Sequence, residues 1–487
     1  MRRPAVLLVV LSLTASTACN AVFGLDELGE GSEERDGGPD VVRRQVTFSR
    51  DRLTAGAVIA ESPTPTAVRY LVRDSAEPLG YASYPATIDG ASASADVPPG
   101  PYLLEIQLGA GAPLYLASDA ATFAYRDRVY GRADLVTTFK PRQVSFSLQS
   151  TLWNPSESAL HFDTIGMWSH ARAMDGSVTG TGATTDPLRW NLPWSLDAVT
   201  TPPGAPFGLL DAGDWIAITH RRGDGDAWSV VEAYAAAIAA PQGGVFALTP
   251  QLTPVTPTRI DLAVADSLLG RARATAPAAA ACTGQAEVRL VPSPETGNTW
   301  GIGLGGATFA GGGTVSVSAP SSIGLPSSYA RRLVTIVDCP YTLSSSDVAV
   351  HAEYAVPVEV GGAIELPIPF ASGFEVAGAP LSAGESNVRR LPAGAVTVRW
   401  MPESGLNAPD LYSVVVAALG TSTPVPVFTA LTKQPSIDVP AGLIEPGSYV
   451  VLVTAAVGYP GFGTGELTPS GAPGSTTTPS PLVTFTQ

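Results

Sequence analysis

The chain has 487 residues, of which 28 are Lys or Arg and 43 are Asp or Glu, so its formal net charge is −15. Nucleic acids and anionic lipid surfaces bind proteins through basic patches, and this charge balance argues against both as partners. The length exceeds what one hydrophobic core usually supports and predicts several domains.

Residues 1–18 have the pattern of a secretory signal peptide. A pair of arginines precedes an apolar run at 5–13 that is too short to span a bilayer as a helix. The segment "STAC" at 16–19 resembles the lipobox of bacterial lipoproteins, although its serine stands where Leu, Val or Ile is usual. The resemblance implies that Cys19 is diacylated and anchors the protein to a membrane. The alternative is an ordinary secretory signal cut just before this cysteine, and both interpretations predict export.

Residues 19–44 are predicted to be a flexible spacer. Between residues 26 and 40 there are seven acidic residues, several glycines and one arginine, a composition that cannot bury a core. Asn20 follows the cysteine where inner-membrane lipoproteins carry Asp, so the lipoprotein resemblance implies the outer membrane. The protein would then face the periplasm or the cell surface.

The remaining sequence predicts an all-β protein. Glycine and proline are abundant, and short alternating apolar runs are separated by turn clusters such as "PPG" and "PQGG". No apolar stretch after the signal is long enough to span a membrane, and the alanine-rich run "RARATAPAAAAC" is interpreted as a connector. We expect four tandem β domains, which are called unit 1 (45–140), unit 2 (141–264), unit 3 (265–372) and unit 4 (373–487).

Units 1 and 4 share a short sequence pattern. In "PYLLEIQL" of unit 1, Tyr102, Leu104 and Ile106 alternate with the residues of the other face, as in a half-buried strand. Its lead-in, "PGPYLLEI", matches "PGSYVVLV" in unit 4. A turn glycine before an aromatic-led strand is frequent in immunoglobulin-like sandwiches, so the match indicates a shared architecture.

Unit 4 contains a pattern of aromatic residues that resembles a fibronectin type III domain. Trp400 ends one strand of "AGAVTVRWMPESGLNAPDLYSVVVAAL", Tyr412 begins the next, and a tyrosine-led strand follows in "EPGSYVVLVTAAV". The resemblance covers roughly residues 373–487 and implies a β-sandwich whose aromatic residues fill the core. It implies no activity.

Unit 2 is the most promising place for a local function. It holds six of the eight tryptophans, which are Trp153, Trp168, Trp190, Trp194, Trp215 and Trp228. Exposed indoles bind the apolar faces of sugar rings, so a carbohydrate site is one interpretation. The other is that these rings fill the core of the unit. Trp190 and Trp194, in the proline-containing "RWNLPW", are predicted to lie in a loop and are the candidate ligand-binding residues.

The histidines of unit 2 form a weak candidate for a metal site. His161 and Asp163 share one face of a predicted strand, His170 lies on the other face unless a bulge intervenes, and His220 belongs to a distant strand. Surface or hydrogen-bonded histidines are the simpler interpretation, and we predict no metal and no cofactor. The triplet "RGD" at 222–224 is too short to indicate cell adhesion or calcium binding.

Three cysteines are present. If Cys19 is acylated, Cys282 and Cys339 remain in an exported protein, where oxidation is the default, so we predict a disulfide between them. A zinc site is disfavoured because two isolated cysteines without a nearby histidine pair lack enough ligands.

No catalytic motif is present, and the sequence predicts no enzyme. Glycoside hydrolysis stays open, because it needs only two carboxylates, for which unit 2 offers Asp163, Asp197, Asp211 and Asp214. The favoured prediction is a non-catalytic, membrane-tethered array of β-sandwich modules that binds a surface or acts as a structural spacer. The alternative is a carbohydrate-binding or carbohydrate-active exported protein centred on unit 2. Partners beyond the membrane would be a glycan or a protein surface.

Overall fold

The computed structural model describes most of the chain after residue 40. The described part is residues 41–487 except for 54–57, 78–79, 110, 131–142, 151–157, 166–187, 196–214, 224–225, 238–245, 249–250, 279, 293–300, 327–328, 359–361, 384–386, 421–422 and 469–473. Several predictions concern residues outside this part: the signal peptide, Cys19, most of the spacer, Trp153, Trp168, His170, Asp197, Asp211, Asp214 and Asp224.

The described residues form an all-β protein of tandem domains, as the sequence predicted. Unit 1 contains nine strands, which are β1 (Val42–Leu53), β2 (Val58–Glu61), β3 (Ala67–Arg73), β4 (Tyr81–Pro85), β5 (Thr87–Asp89), β6 (Ser92–Val97), β7 (Tyr102–Gln107), β8 (Leu114–Ser118) and β9 (Thr122–Tyr130). Strand β1 begins at Val42, before the predicted end of the spacer.

Unit 2 contains the next eight described strands, which are β10 (Gln143–Ser150), β11 (Ser158–Ile165), β12 (Leu188–Ser195), β13 (Trp215–Gly223), β14 (Ala227–Ala237), β15 (Phe246–Leu248), β16 (Thr253–Pro254) and β17 (Pro257–Val264). Strands β11, β13 and β14 are neighbours in one sheet, and β12, β10 and β15 form a second sheet. Strand β17 pairs with strands of unit 3 instead.

Unit 3 begins with a helix. Its elements are α1 (Asp266–Thr275), β18 (Thr283–Pro292), β19 (Ile302–Phe309), β20 (Gly313–Pro320), β21 (Tyr329–Leu343), β22 (Ser346–Pro357) and β23 (Ala363–Ile364). Helix α1 includes the start of the run that was interpreted as a connector. It forms because Leu268, Leu269 and Ala272 are buried, and it ends just before Pro277, which cannot continue a helix.

Unit 4 contains the last strands, which are β24 (Ala371–Val376), β25 (Ala379–Pro380), β26 (Asn387–Arg390), β27 (Val396–Pro402), β28 (Leu411–Ala418), β29 (Val425–Thr432), β30 (Ser436–Val439), β31 (Gly447–Val457), β32 (Glu466–Leu467), β33 (Gly474–Pro479) and β34 (Val483–Thr486). A short 3₁₀ helix, Phe462–Thr464, precedes β32. Among the described residues, no helix has the length and apolar character needed to cross a membrane.

Units 1, 3 and 4 are each built from two layers of strands. In unit 1, strands β9, β1 and β6 face strands β3, β7 and β8 across a shared apolar core. In unit 3, strands β19, β18, β21 and β22 face β20, β17 and β23. In unit 4, strands β25, β24, β27 and β30 face β29, β28, β31 and their neighbours β33 and β34. Period-two side-chain alternation gives each sheet the apolar face that this packing buries.

The core of unit 4 is organised around aromatic rings. Trp400 and Tyr412 are both 3% exposed, and their rings meet edge to face with 5.1 Å between centroids. At the start of β31, the hydroxyl of Tyr449 donates a hydrogen bond to the carbonyl of Glu445 (2.9 Å) and accepts one from the Glu445 N–H (3.1 Å). This tyrosine fixes the turn before β31, which is the role of the tyrosine corner in immunoglobulin-like sandwiches.

Strand pairing continues from one unit to the next. Strand β14 pairs with β19, so unit 2 joins unit 3; β22 pairs with β33, so unit 3 joins unit 4; and β29 pairs with β8, so unit 4 joins unit 1. The spatial order is therefore 2-3-4-1, although the chain order is 1-2-3-4. The result is a sheet of 18 strands that passes through all four units.

Candidate functional site

Trp190 and Trp194 lie in strand β12, and the prediction that they occupy a loop is wrong. Trp190 is opposite Leu148 of β10, and Trp194 is opposite Val144. Pro193 is compatible with this strand because β12 forms the edge of its described three-stranded sheet. An edge strand has a neighbour on one side only, so it tolerates a residue that lacks a backbone N–H. The side chains of both tryptophans lie outside the described part of the structure, so their binding role stays a prediction.

Trp215 and Trp228 are half-buried in β13 and β14 and pack against the main hydrophobic core. The guanidinium carbon of Arg221 lies 4.2 Å from the centroid of the Trp228 ring. The indole also lies against β19, where a Cβ on Gly306 would be only 2.8 Å from its Nε1 and a Cβ on Gly303 2.8 Å from its Cη2. The glycines of "GLGG" thus make room for this indole, whose contacts are those of a structural residue.

His220 is fully buried and bonded to a carboxylate. Its Nδ1 lies 2.7 Å from Oε2 of Glu232, and both side chains are 0% exposed. The two residues are cross-strand partners in β13 and β14, next to a β-bulge at Arg221. A polar pair in this position stabilises the sheet because each group satisfies the other away from water.

The strand of His161 is the direct neighbour of the strand of His220, closer than the sequence suggested. His161 in β11 is opposite Thr219 in β13. Within the described residues, no three His, Cys, Asp or Glu side chains are grouped so that they could hold a metal ion. The fourth histidine, His351, bonds through Nδ1 to Oδ1 of Asp338 (3.1 Å) and is opposite Thr477 at the junction of units 3 and 4.

Cys282 and Cys339 are joined by a disulfide, the pairing that the sequence predicted. Cys282 immediately precedes β18, and Cys339 lies in β21. These strands are antiparallel neighbours whose ladder ends with Thr283 opposite Asp338, so the cysteines lie one step beyond it. The bond therefore links two adjacent strands in the core of unit 3.

Unit 3 contains a network of buried charges that the sequence analysis did not predict. Arg289 bonds to Glu287 (2.7 Å) and to Glu353 (3.1 Å), and the three side chains are 10–16% exposed. Burial lowers the pKa of Arg289, but the two carboxylates outweigh it, and the net shift is upward. The signal was the pair of charges two residues apart in "QAEVRL", which the period of a strand places on one face. The network ties β18 to β22 across β21.

Arginine side chains form bonds across the junctions of unit 4 with its neighbouring units. Arg271 on helix α1 bonds to both carboxylate oxygens of Glu403 (2.8 Å each) and to the carbonyls of Leu366 and Ile368. Arg73 of unit 1 bonds to Asp438 of unit 4 at 2.6 Å. The bidentate contact of Arg271 with Glu403 fixes the relative orientation of the two groups as well as their distance.

Unit 4 also completes the core of unit 1. Phe462 and Leu467, from the segment after β31, are buried among the apolar residues of unit 1. Strand β32 pairs with β9 in parallel, with Leu467 opposite Tyr125. The aromatic side chains of Tyr115 and Phe428 add a ring contact of 5.0 Å at the same junction. Units 1 and 4 therefore share one apolar interior.

No protein-family model matches the chain, and no curated protein matches it. Among solved structures, the chain is similar to a leucine-rich repeat protein from Bacteroides thetaiotaomicron, with 11% identity and a TM-score of 0.13 over 46% of this chain and 26% of the other. It is also similar to the pilus adhesin SpaC from Lactobacillus rhamnosus GG, with 11% identity and a TM-score of 0.13 over 84% of this chain and 44% of the other.

A streptococcal ancillary pilin is similar with 9% identity and a TM-score of 0.12, over 66% of this chain and 98% of that one. The chain spans less than half the length of the first two structures. At these TM-scores, neither a shared fold nor a shared function follows from the matches.

Proposed function

We propose that the protein is a non-catalytic lipoprotein of the bacterial cell envelope. In this proposal Cys19 carries the lipid, residues 19–41 are the spacer, and the strands that begin at Val42 form a membrane-tethered array of β-sandwich modules. The array binds a surface or acts as a structural spacer. The lipobox-like segment, the acidic spacer composition and the all-β architecture support this function.

The observation that carries the proposal is the continuity of strand pairing across the units. Open strand edges are sites of unwanted association, and here the units cover edges of one another at all three junctions. Independent modules on flexible linkers would have no such ladders. An array joined in this way holds its outer surfaces at fixed positions relative to one another, which suits a spacer or a binding platform.

The finer proposal for unit 4 is a fibronectin type III-like module. Support comes from its strand order, with β24, β27 and β30 adjacent in one sheet and β29, β28, β31 and β34 adjacent in the other. Trp400 and Tyr449 occupy core positions that such a sandwich requires. The module would present loops and edges for binding and would carry no catalytic residues.

The anchor is tested by replacing Cys19 with Ala and fractionating the cells. We expect the wild-type protein in the outer-membrane fraction and Cys19→Ala in the soluble fraction, because loss of the acyl chains removes their burial, at about 0.8 kcal/mol per CH₂. The double variant Cys282→Ala/Cys339→Ala is the matched control, since it loses two thiols but keeps the anchor. Membrane retention of Cys19→Ala would exclude a lipoprotein.

The second candidate is a carbohydrate-binding or carbohydrate-active exported protein centred on unit 2. The observation in its favour is that Trp190 and Trp194 lie in an edge strand of their described sheet, which leaves one side of that strand without a paired neighbour there. A glycan-array assay with the mature chain, combined with a glycoside hydrolysis screen, separates the two candidates. Specific glycan binding that is lost in Trp190→Ala/Trp194→Ala would favour this candidate, and turnover would show an enzyme.

A further inference from the structure

Strand β1 is held along both of its edges. Strand β9 pairs with it in parallel over nine consecutive positions, from Gln45 opposite Thr122 to Leu53 opposite Tyr130. On the other edge, β6 pairs with the first half of β1 and β2 with its last four residues. A strand in the middle of a sheet leaves it only when the ladders on both sides break.

The chain enters and leaves unit 1 through this pair of strands. It enters at Val42, at the start of β1, and leaves β9 at Tyr130. Because the two strands are parallel, these two points lie at opposite ends of the ladder. A force between them acts along the strands and loads the evenly spaced hydrogen bonds of the parallel ladder together. In an antiparallel hairpin, the same force would open the bonds one after another.

Side chains reinforce the same ladder. Arg50 bonds to Asp127 at 2.8 Å, and Arg126 bonds to Asp51 at 2.9 Å, so two ion pairs cross between β1 and β9. The carboxylate of Asp51 is 6% exposed, and salt screens such a partly buried pair less than an exposed one.

Strand β1 is also fixed on its inner face. Val46 and Phe48 are 0% and 3% exposed in the core of unit 1. Arg44, which is 6% exposed, donates hydrogen bonds to the carbonyls of Asp119 and Gly100. Sliding of β1 along its axis would expose the apolar residues and break the bonds of this arginine.

We propose that β1 and β9 form a mechanical clamp that carries tension from the N-terminal tether into the array. The source of the tension rests on the proposed function, since an anchored spacer pulls on Val42 whenever a distant surface is held. Strand β9 passes the load on to unit 4, because β32 lies on its other edge and Phe462 is buried beside Phe123.

Single-molecule force spectroscopy on the mature chain tests the clamp, with one handle at the N-terminus and the other attached shortly after Tyr130, so that the force acts between the two ends of the ladder. Opening of residues 42–130 adds about 30 nm of contour length, given an extended length of about 3.5 Å per residue. The step is identified by a disulfide between cysteines introduced at two exposed, paired positions, Thr47→Cys and Ala124→Cys. That bond shortens the released length by roughly 27 nm.

We expect Arg50→Ala/Arg126→Ala to speed opening of this step roughly tenfold at constant force, since two partly buried ion pairs are lost. The matched control is Arg69→Ala, which removes the Arg69–Glu105 pair between the antiparallel strands β3 and β7 of the same unit and should leave the step unchanged.

The clamp is wrong if residues 42–130 open gradually without a distinct step, if the double variant has no effect, or if Arg69→Ala weakens the step equally. The force experiment does not depend on the lipid. If the force experiment fails but membrane binding depends on Cys19, the clamp is wrong and the proposed function stands. If the force experiment succeeds but the protein is not lipidated, the clamp stands and the lipid anchor is wrong.

Discussion

The ring of Phe462 packs edge-on against the ring of Phe123, with 6.0 Å between the ring centroids. The first belongs to unit 4 and the second to unit 1, and each is no more than 3% exposed. The contact shows that the core of unit 1 is finished by a residue from the other end of the chain. Removal of this contact should therefore destabilise unit 1 as well as unit 4.

Phe462→Ala tests this coupling. Loss of a buried phenylalanine should lower the free energy of unfolding by about 3–5 kcal/mol. Hydrogen exchange read by mass spectrometry should show faster exchange in β9 as well as in β31. Met401→Ala is the control, because Met401 is 60% exposed and its loss should change little. Faster exchange confined to unit 4 would contradict a shared core.

Loss of the disulfide should destabilise unit 3. The bond closes a loop of 57 residues, for which chain entropy gives about 4 kcal/mol of stabilisation. Urea unfolding of Cys282→Ser/Cys339→Ser, compared with the oxidised wild type, measures the loss. Mass spectrometry of the wild type without reductant should find neither thiol free. Two free thiols in the folded, mature protein would show that the bond does not form.

The buried pair of His220 and Glu232 should behave as one unit. Removing either partner leaves a polar group buried without its partner, which costs about 1–3 kcal/mol. The double variant His220→Ala/Glu232→Ala should therefore lose less stability than the sum of the two single variants, as measured by urea unfolding in a double-mutant cycle. Strict additivity would show that the pair does not interact in solution.

The sequence predicted local structure well because the signals are local. The all-β class follows from short patterns, the core positions of Trp400 and Tyr412 from the resemblance to a fibronectin type III domain, and the cysteine pair from the chemistry of exported proteins. Helix α1 was not predicted from the sequence, because only three of its residues are buried and the alanine run that continues beyond Pro277 has no amphipathic pattern.

Contacts between units could not be predicted from the sequence. Strand β7 was expected to be half-buried, but it is buried on both faces, since Leu104 faces the core of unit 1 and Leu103 faces unit 4. No short sequence pattern indicates which neighbouring unit will cover the second face of a strand. Pairs such as His220 and Glu232 depend in the same way on the register of two strands, which a single sequence leaves open.

High pH should unfold the protein through its buried tyrosines. Burial raises the pKa of Tyr125, Tyr115 and Tyr70 above the ordinary value and raises that of Tyr341 to about 12. The neutral forms therefore contribute stability that is complete below about pH 10 and is lost as the pH rises toward the folded-state pKa values.

Tyrosinate absorption and circular dichroism should change together in an alkaline titration. Tyr125→Phe should move the midpoint to higher pH, since one group that ionises on unfolding is gone. Ionisation of these tyrosines while the circular dichroism is unchanged would contradict their burial.

Truncation of Trp190 and Trp194 separates a core role from a binding role. If these two rings fill the core of unit 2, Trp190→Ala and Trp194→Ala should each lower the free energy of unfolding by about 3–5 kcal/mol and should cause no loss of glycan binding. Unchanged melting temperatures together with lost glycan binding would favour the carbohydrate candidate.

Native-state hydrogen exchange at the junctions tests the central claim, that the units form one continuous array, most directly. The account predicts that, within residues 474–477 of β33, the amides directed toward β22 rather than toward β31 are protected as strongly as those of β28 inside unit 4. At residues 115–116 of β8, the amide directed toward β29 rather than toward β7 should be protected to the same extent. Rapid exchange at both junctions, with β28 still protected, would show independent modules and contradict the account.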